Sequence, residues 1–217
     1  MIPLAVWQAP RRPVHIPSPR QPWTGLTGTN LDPVSSRRQQ ILDIAAGLFS
    51  ERGFHGVSVA ELGAACGISG PALYKHFQSK DAMLAEMLVS ISETLLSEGR
   101  ARAARAEGPR EAIEALVEWH IDFALEHRDL IVVQDRDWSS LPDDARERVR
   151  ALQRSYVDVW ATQLRRLGSA MSPEVSRARA HVLFGLLNST PHSGRLPQPQ
   201  MREMLREMAH GALGLGA

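Results

Sequence analysis

The sequence predicts an all-α protein: a small N-terminal bundle of three helices, a connecting fourth helix and a larger C-terminal helical bundle. Three observations predict it. Apolar residues recur at helical spacing from Ser35 to the end of the chain, no segment alternates as a half-buried strand would, and Gly, Pro and Ser fall where helices should start and stop. The 217 residues are 43% hydrophobic and 23% charged, which excludes collagen, a coiled-coil rod and wholesale disorder. A single cysteine can form neither an intramolecular disulfide nor a Cys-based zinc site and fits a reducing compartment.

Residues 1–33 hold seven of the 14 prolines and no sustained period, so they read as an extended, largely disordered arm. Met1 to Trp7 is too short for the apolar core of a secretory signal and runs into Pro10-Arg11-Arg12-Pro13. With no apolar run of about 18 residues, no membrane span is expected either, which points to the cytoplasm.

Ile41, Ile44, Ala45, Leu48 and Phe49 then lie on one face of a first helix, which Gly53 stops. Ser58 and Glu61 have capping-box spacing at the start of a second, whose Val59, Leu62 and Ala65 can face inward. Gly67-Ile68-Ser69 reads as a turn, glycine closing one helix and serine capping the next. Gly70-Pro71 opens the third helix. Ser79 caps a fourth, running through Met83, Met87, Ile91 and Leu95 to Arg105, where Gly108-Pro109 ends it. Five more helices follow at roughly 109–127, 128–139, 142–167, 173–190 and 198–213, divided by proline and glycine breaks.

The net charge of +1 conceals an uneven distribution. Residues 1–85 carry eight basic against five acidic side chains, a balance of +3, and the rest of the chain comes to −2. Twenty-three of the 25 basic residues are arginine; the two lysines, Lys75 and Lys80, stand five apart. A polyanion would meet the N-terminal end.

Residues 58–77 form two short helices joined by a glycine-containing turn, the helix-turn-helix layout. The second helix of such a unit fits a DNA major groove and presents backbone N–H groups to phosphate. Tyr74, Lys75 and His76 form its polar face, while Leu73 and Phe77 pack inward. On pattern alone, an ordinary helical hairpin with a solvated lysine stays open.

The stretch from Arg38 to Leu88, RQQILDIAAGLFSERGFHGVSVAELGAACGISGPALYKHFQSKDAMLAEML, closely resembles the DNA-binding domain of the tetracycline-repressor (TetR) family of bacterial regulators. The resemblance implies a dimer that binds a palindromic double-stranded DNA operator, with 34–80 as DNA-binding domain and 81–217 as ligand-binding and dimerisation domain. It implies that Ser58 caps the second helix against a phosphate and that Ser69, Gly70, Pro71 and Ala72 approach base edges or backbone. Tyr74 and His76 would contact phosphates, Lys75 would lie near the groove, and Lys80 would reach a phosphate. Ala60 and Gly70 stand where the family's best-known member reads bases with long side chains, so direct readout should be sparse and DNA shape should contribute. The arm could track the minor groove through Arg11, Arg12 and Arg20; a disordered extension or an over-called start is the more economical view.

In the body, Met87, Trp119, His120, Phe123, Gln134, Trp138, Tyr156 and Trp160 are the expected lining of an apolar ligand cavity, with Met83, Val117, Leu152 and Gln163 beside them. The alternative for each is that it merely fills the core. The segments HRDLIVVQD (127–135) and RSYVDVW (154–160) resemble bodies of actinobacterial family members that control lipid or steroid degradation, which makes an acyl-CoA the leading effector. Val182, Leu186, Met204, Leu205 and Met208, with Val175, Ala178, Met201 and Ala212, form the apolar stripes expected at a homodimer interface of two helices per subunit.

Cys66 reads as a buried filler rather than a redox sensor. His120 and His181 lack the company of further ligands, so no metal is expected, nor any cofactor. No nucleophile elbow, P-loop or Cys/His pair suggests catalysis. A ligand-responsive repressor is therefore the leading reading. A hydrophobic small-molecule sequestering protein with a degenerate head is the alternative, motivated by Ala60 and Gly70.

Overall fold

The computed structural model describes residues 33–168, 170–193 and 196–215. Arg11, Arg12 and Arg20 of the N-terminal arm lie outside the described residues. Among those described, the chain forms nine α-helices and one short 3-10 turn, with no strand. In order these are α1 (Pro33–Arg52), α2 (Val59–Ala65), α3 (Gly70–Leu73), α4 (Lys80–Arg105), α5 (Pro109–Glu126), α6 (Arg128–Asp137), the 3-10 turn Trp138–Ser140, α7 (Asp143–Leu167), α8 (Pro173–Leu187) and α9 (Gln198–Leu213).

Local chemistry explains the head, α1 to α3. α1 turns Ile41, Leu42, Ala45, Ala46 and Phe49 inward and stops at Gly53, whose φ of 82° favours glycine and whose N–H bonds Phe49 O at 2.8 Å. At the start of α2, Ser58 Oγ accepts from the Glu61 N–H while the Glu61 carboxylate accepts from the Ser58 N–H at 2.8 Å. Gly67 closes α2 with φ 68°. A Cβ on Gly63 would stand 2.9 Å from both Gly70 N and Ile68 O, so only glycine lets α2 lie this close to the turn. Ser69 and Ser79 accept the Ala72 and Ala82 N–H groups to cap α3 and α4.

Two long helices join head and body. α4, about 39 Å long at 1.5 Å per residue, contributes Met83, Leu84, Met87 and Leu88 to the head core and Leu96 to the body core. α7 does the same with Ala145 and Val149 at one end and Tyr156, Trp160 and Leu164 at the other. The head core therefore continues past residue 80, through α4, into α6 (Val133) and the start of α7. Polar contacts reinforce this junction: Arg136 donates to the Ser50 carbonyl at 3.1 Å and to that of Phe49, Ser50 Oγ donates to Asp129 Oδ1 at 2.8 Å, and Ser140 Oγ meets His55 Nε2 at 3.0 Å. Arg136 supplies positive charge at the C-terminal end of α1, adding a donor to the Ser50 carbonyl and a second one to that of Phe49. In the body, α4 packs on α5 and α7, α8 covers α7, and α9 lies against α5 and α8.

Two helix ends differ from the sequence expectation. The helix expected over 128–139 ends at Asp137 and tightens into the 3-10 turn, while the helix expected over 173–190 ends at Leu187. Asn188 is its C-cap, and leaving the helix lets this side chain turn inward onto His120.

Candidate nucleic-acid interface and effector site

The turn and α3 present one continuous exposed edge. Ser69, Pro71, Tyr74 and Lys75 are exposed, Tyr74 at 55%, and Gly70, Ala72 and His76 are half-buried. Leu73 and Phe77 face inward and fix this edge to the head core. Beyond Leu73 the coil tightens: Lys75 N–H bonds Ala72 O and His76 N–H bonds Leu73 O, which carries Tyr74, Lys75 and His76 round the end of the unit. Ala60 and Gly70 stand together, a Cβ on Gly70 falling 3.8 Å from Ala60 Cα. The front between α2 and α3 thus carries no long side chain, although there is room for one.

The sequence reading missed the residue that holds this edge in place. Arg38 on α1 donates from Nε and Nη2 to the two Glu86 oxygens on α4, both at 2.5 Å, donates from Nη1 to the His76 carbonyl and covers the Phe77 ring at 4.2 Å. One guanidinium therefore ties α1, the end of the recognition unit and α4. Nothing local in the sequence distinguishes Arg38 from its neighbour Arg37, which instead donates to Cys66 O at 2.5 Å.

Ser58 caps α2, and Lys80 bonds carbonyls of the α1–α2 loop. The Ser58 hydroxyl is committed within its capping box, accepting from the Glu61 N–H and donating to Glu61 Oε2 at 2.7 Å. Those bonds, led by the Ser58 N–H and followed by that from Arg52, pull the Glu61 carboxyl down to about 2. Lys80, expected to reach a phosphate, makes contacts within the head. Its Nζ donates to Phe54 O at 2.7 Å and Val57 O at 2.8 Å and sits 4.3 Å from the centre of the Phe54 ring, two of the ammonium's three donors being used within the head. Lys80 thus fastens the α1–α2 loop to the start of α4, and Lys75 is left as the exposed lysine of the pair.

The structure divides the eight expected ligand residues. His120, Phe123, Tyr156 and Trp160 come together in the body, joined by Phe184 and Asn188, which the sequence reading did not single out. The Tyr156 ring lies nearly parallel to Phe184 at 5.4 Å and to His120 at 5.8 Å, so side chains occupy the space between these helices. Trp119 lies toward α4, its ring covered by the Arg102 guanidinium at 4.8 Å. Met87 instead belongs to the head core, as does Met83, with Trp138 packed against it. Gln134 and Trp138 line a separate open groove with Asp135 and Gln153, and Gln163 accepts from Arg166 at 3.1 Å. The physical reason is helix phase: α6 turns Ile131 and Val133 inward and leaves Gln134 outside.

Inside this cluster, polarity is sparing. His120, 3% exposed, has Nε2 3.0 Å from Asn188 Oδ1 and Nδ1 3.3 Å from the Tyr156 hydroxyl. Burial pulls its pKa down to about 4, against a smaller opposing effect of Asn188, so the ring is neutral at pH 7. Burial also pushes the Tyr156 phenol up, relieved in part by the nearby Trp160 N–H. That N–H, on a fully buried ring, still makes no hydrogen bond of normal geometry. A buried donor left unbonded costs free energy, and such sites are places to look for a ligand.

At the far side of the body, Val175, Ala178 and Val182 on α8 and Met208 and Ala212 on α9 are exposed, Val182 at 71%. Leu186 and Met204 are half-buried beside them. Leu205 departs from the expected stripe: it is 1% exposed and packed in the body core with Met201, because both lie on the face of α9 turned toward α5 and α8. Burial likewise raises the pKa of the Cys66 thiol, and His181 is exposed. Among the described residues no cluster of three metal-ligating side chains occurs and no helix is long and apolar enough to cross a membrane.

Two family models match this architecture. Residues 41–87 match "Bacterial regulatory proteins, tetR family" and residues 106–212 match "Tetracyclin repressor-like, C-terminal domain", so between them they take in most of the head and most of the body. The chain belongs to the TetR family. Members of this family are transcription regulators, not catalysts. Among curated relatives, the HTH-type transcriptional repressor KstR2 of Rhodococcus jostii is 41% identical over 83 residues, 38% of this chain and 41% of that protein. The chain spans less than two thirds of the length of the first such relatives; for KstR2 of Mycobacterium tuberculosis the share is 66%, at 28% identity over 58% of this chain. Among solved structures, the TetR-family regulator PfmR from Thermus thermophilus superposes with a TM-score of 0.69 at 27% identity, covering 80% of this chain and 97% of PfmR. AibR, solved in complex with isovaleryl coenzyme A and operator DNA, shares the fold, with a TM-score of 0.66 at 22% identity over 79% of this chain and 97% of AibR.

Proposed function

We propose that this TetR-family regulator is a homodimeric, sequence-specific repressor that binds a palindromic double-stranded DNA operator and leaves it when a hydrophobic small molecule, foremost an acyl-CoA, enters the body. The observation that carries the reading is the exposed edge Ser69–Lys75, held rigidly to α4 by Arg38 while α4 runs on into a body with an unbonded indole N–H in its core. In this reading Ser69, Gly70, Pro71 and Ala72 approach the groove, and Tyr74, Lys75 and His76 the phosphates.

The apolar strip on α8 and α9, Val182, Leu186, Met204 and Met208 with Val175 and Ala212, serves as the subunit contact. Two heads can then meet half-sites whole helical turns apart. The effector site is formed by His120, Phe123, Tyr156 and Trp160, bordered by Trp119. A ligand there tilts α4 and changes the head separation, by an amount set by its differential affinity for the two states. The acyl-CoA assignment draws support from the resemblance of segments 127–135 and 154–160 to lipid-degradation regulators and from the isovaleryl coenzyme A bound by AibR.

Footprinting on the DNA flanking its own gene, at moderate salt and with a panel of acyl-CoAs, tests the reading. A protected palindrome that an acyl-CoA releases supports it, and no protected palindrome refutes it. The short side chains at Ala60 and Gly70 favour one other reading, a hydrophobic small-molecule sequestering protein whose head reads no operator. That protein would gain thermal stability from the same ligands by mass action while protecting no DNA.

A further inference from the structure

The effector-gated reading leaves open how a ligand among the body helices is felt by the head. The aromatic cluster meets α4 at Gly99. A Cβ on Gly99 would stand 2.6 Å from Tyr156 Cε2 and 3.3 Å from both Tyr156 Cδ2 and Leu116 Cδ2. The Tyr156 ring therefore lies against the backbone of α4 itself, with no flexible side chain between them to absorb movement.

Three further observations bear on that contact. The ring is held in place by near-parallel stacking on Phe184 and His120, and its hydroxyl meets His120 Nδ1 at a long 3.3 Å. Trp160, one helical turn further along α7, keeps its N–H unbonded. An acceptor oxygen on an otherwise apolar ligand would gain the Trp160 N–H and the Tyr156 hydroxyl together, and to sit there it must move the Tyr156 ring. Finally, Gly99 lies roughly 28 Å along α4 from Lys80 at 1.5 Å per residue, and the head end of α4 carries Glu86, the partner of Arg38. A sideways shift at Gly99 is thus applied to a stiff rod whose other end holds the recognition edge.

We propose that Tyr156 is the positioning residue through which an acyl-type effector, offering one acceptor oxygen to Trp160 and Tyr156, acts on the head, and that Gly99 is the point on α4 at which it acts. The inference rests on the effector-gated reading above. It requires a glycine at position 99 for reasons opposite to helix propensity, since Ala is the better helix former.

The test is DNA affinity in the full-length protein, without any ligand, by gel shift on the DNA flanking its own gene. Helicity and dimer content are checked by circular dichroism and gel filtration. Gly99→Ala should change the affinity at least tenfold while folding as the wild type does. In a Tyr156→Ala background, where the ring is gone, Gly99→Ala should change it less than threefold. An affinity change of less than tenfold for Gly99→Ala, or an effect of threefold or more that persists in the Tyr156→Ala background, overturns the proposal. Should Gly99→Ala not give a folded dimer, Tyr156→Leu takes its place: a shift of threefold or more supports the coupling, and a smaller one overturns it. If the wild type binds none of this DNA, the repressor reading falls and takes the inference with it. If it binds and Gly99→Ala binds equally well, the inference alone falls.

Discussion

Polar groups are treated differently on the half-buried flanks of the head and in the core of the body. In the head, Glu61 accepts from Ser58 and Arg52, Arg38 takes up Glu86 and the His76 carbonyl, and Lys80 takes up the carbonyls of Phe54 and Val57. In the body core, His120 sits neutral among rings, bonded at 3.0 and 3.3 Å, and the Trp160 N–H makes no hydrogen bond of normal geometry. Satisfied networks rigidify a fold, whereas an unmet donor is a small store of unfavourable free energy that a ligand can release. The exposed edge of the head is thus tied down by met hydrogen bonds, and the body core keeps a donor that the proposed effector would meet.

The largest test of this contrast is the pH dependence of the body. His120 has a folded pKa of about 4 against an ordinary value of 6.5, so the unfolded chain binds the proton more readily. Its contribution is fully present above pH 6.5 and is lost as the pH falls through the folded value. Across that window wild-type stability should drop by about 3 kcal/mol more than that of His120→Asn, measured by urea unfolding at pH 7, 5.5 and 4. Parallel curves for the two proteins would place the ring in contact with water and remove the contrast.

Arg38→Ala comes next and probes the other side of the comparison. It strands the His76 carbonyl and the Glu86 carboxylate together and should cost about 2 kcal/mol of stability. Because the loss falls on the head, DNA affinity should drop while the subunit contact, followed by gel filtration, stays unchanged. An equal loss of dimer would mean that the guanidinium supports the whole molecule and not the reading edge.

What could be read from the sequence follows the same division. The head was legible because its devices are local: Ser58 and Glu61 three apart, Gly67 before Ser69, Pro71 in the first turn of α3. The helices of the body were legible too, within a few residues at each end. The grouping of its side chains was not. Met87, Gln134 and Trp138 have the composition of a pocket lining, but α6 and α4 turn them to the head core and an outer groove. Leu205 is as apolar as Met208, yet one faces the core and the other is exposed. Such differences depend on which helix lies across from which, and in a bundle of helices that is fixed by contacts between positions far apart in the chain. Asn188 and Gly99 were missed for the same reason, since one side chain and one missing side chain gain meaning only from His120 and Tyr156.

The smallest test concerns the two lysines, which look alike in sequence and part company in the structure. Lys75 is exposed on the recognition edge, so Lys75→Ala should weaken binding to all sequences and lower the slope of log affinity against log salt by about one. Lys80 already donates to two carbonyls and covers Phe54. Lys80→Met should therefore leave the salt slope as it is and cost about 1 kcal/mol of stability, the net worth of a typical hydrogen bond. Gel shifts at several salt concentrations, with urea unfolding of the same proteins, separate the two roles. A salt slope that falls by one unit for Lys80→Met would mean that DNA draws the ammonium away from Phe54 and Val57. In that event the head would rearrange its own hydrogen bonds on binding, and it would no longer stand apart from the body as the rigid half.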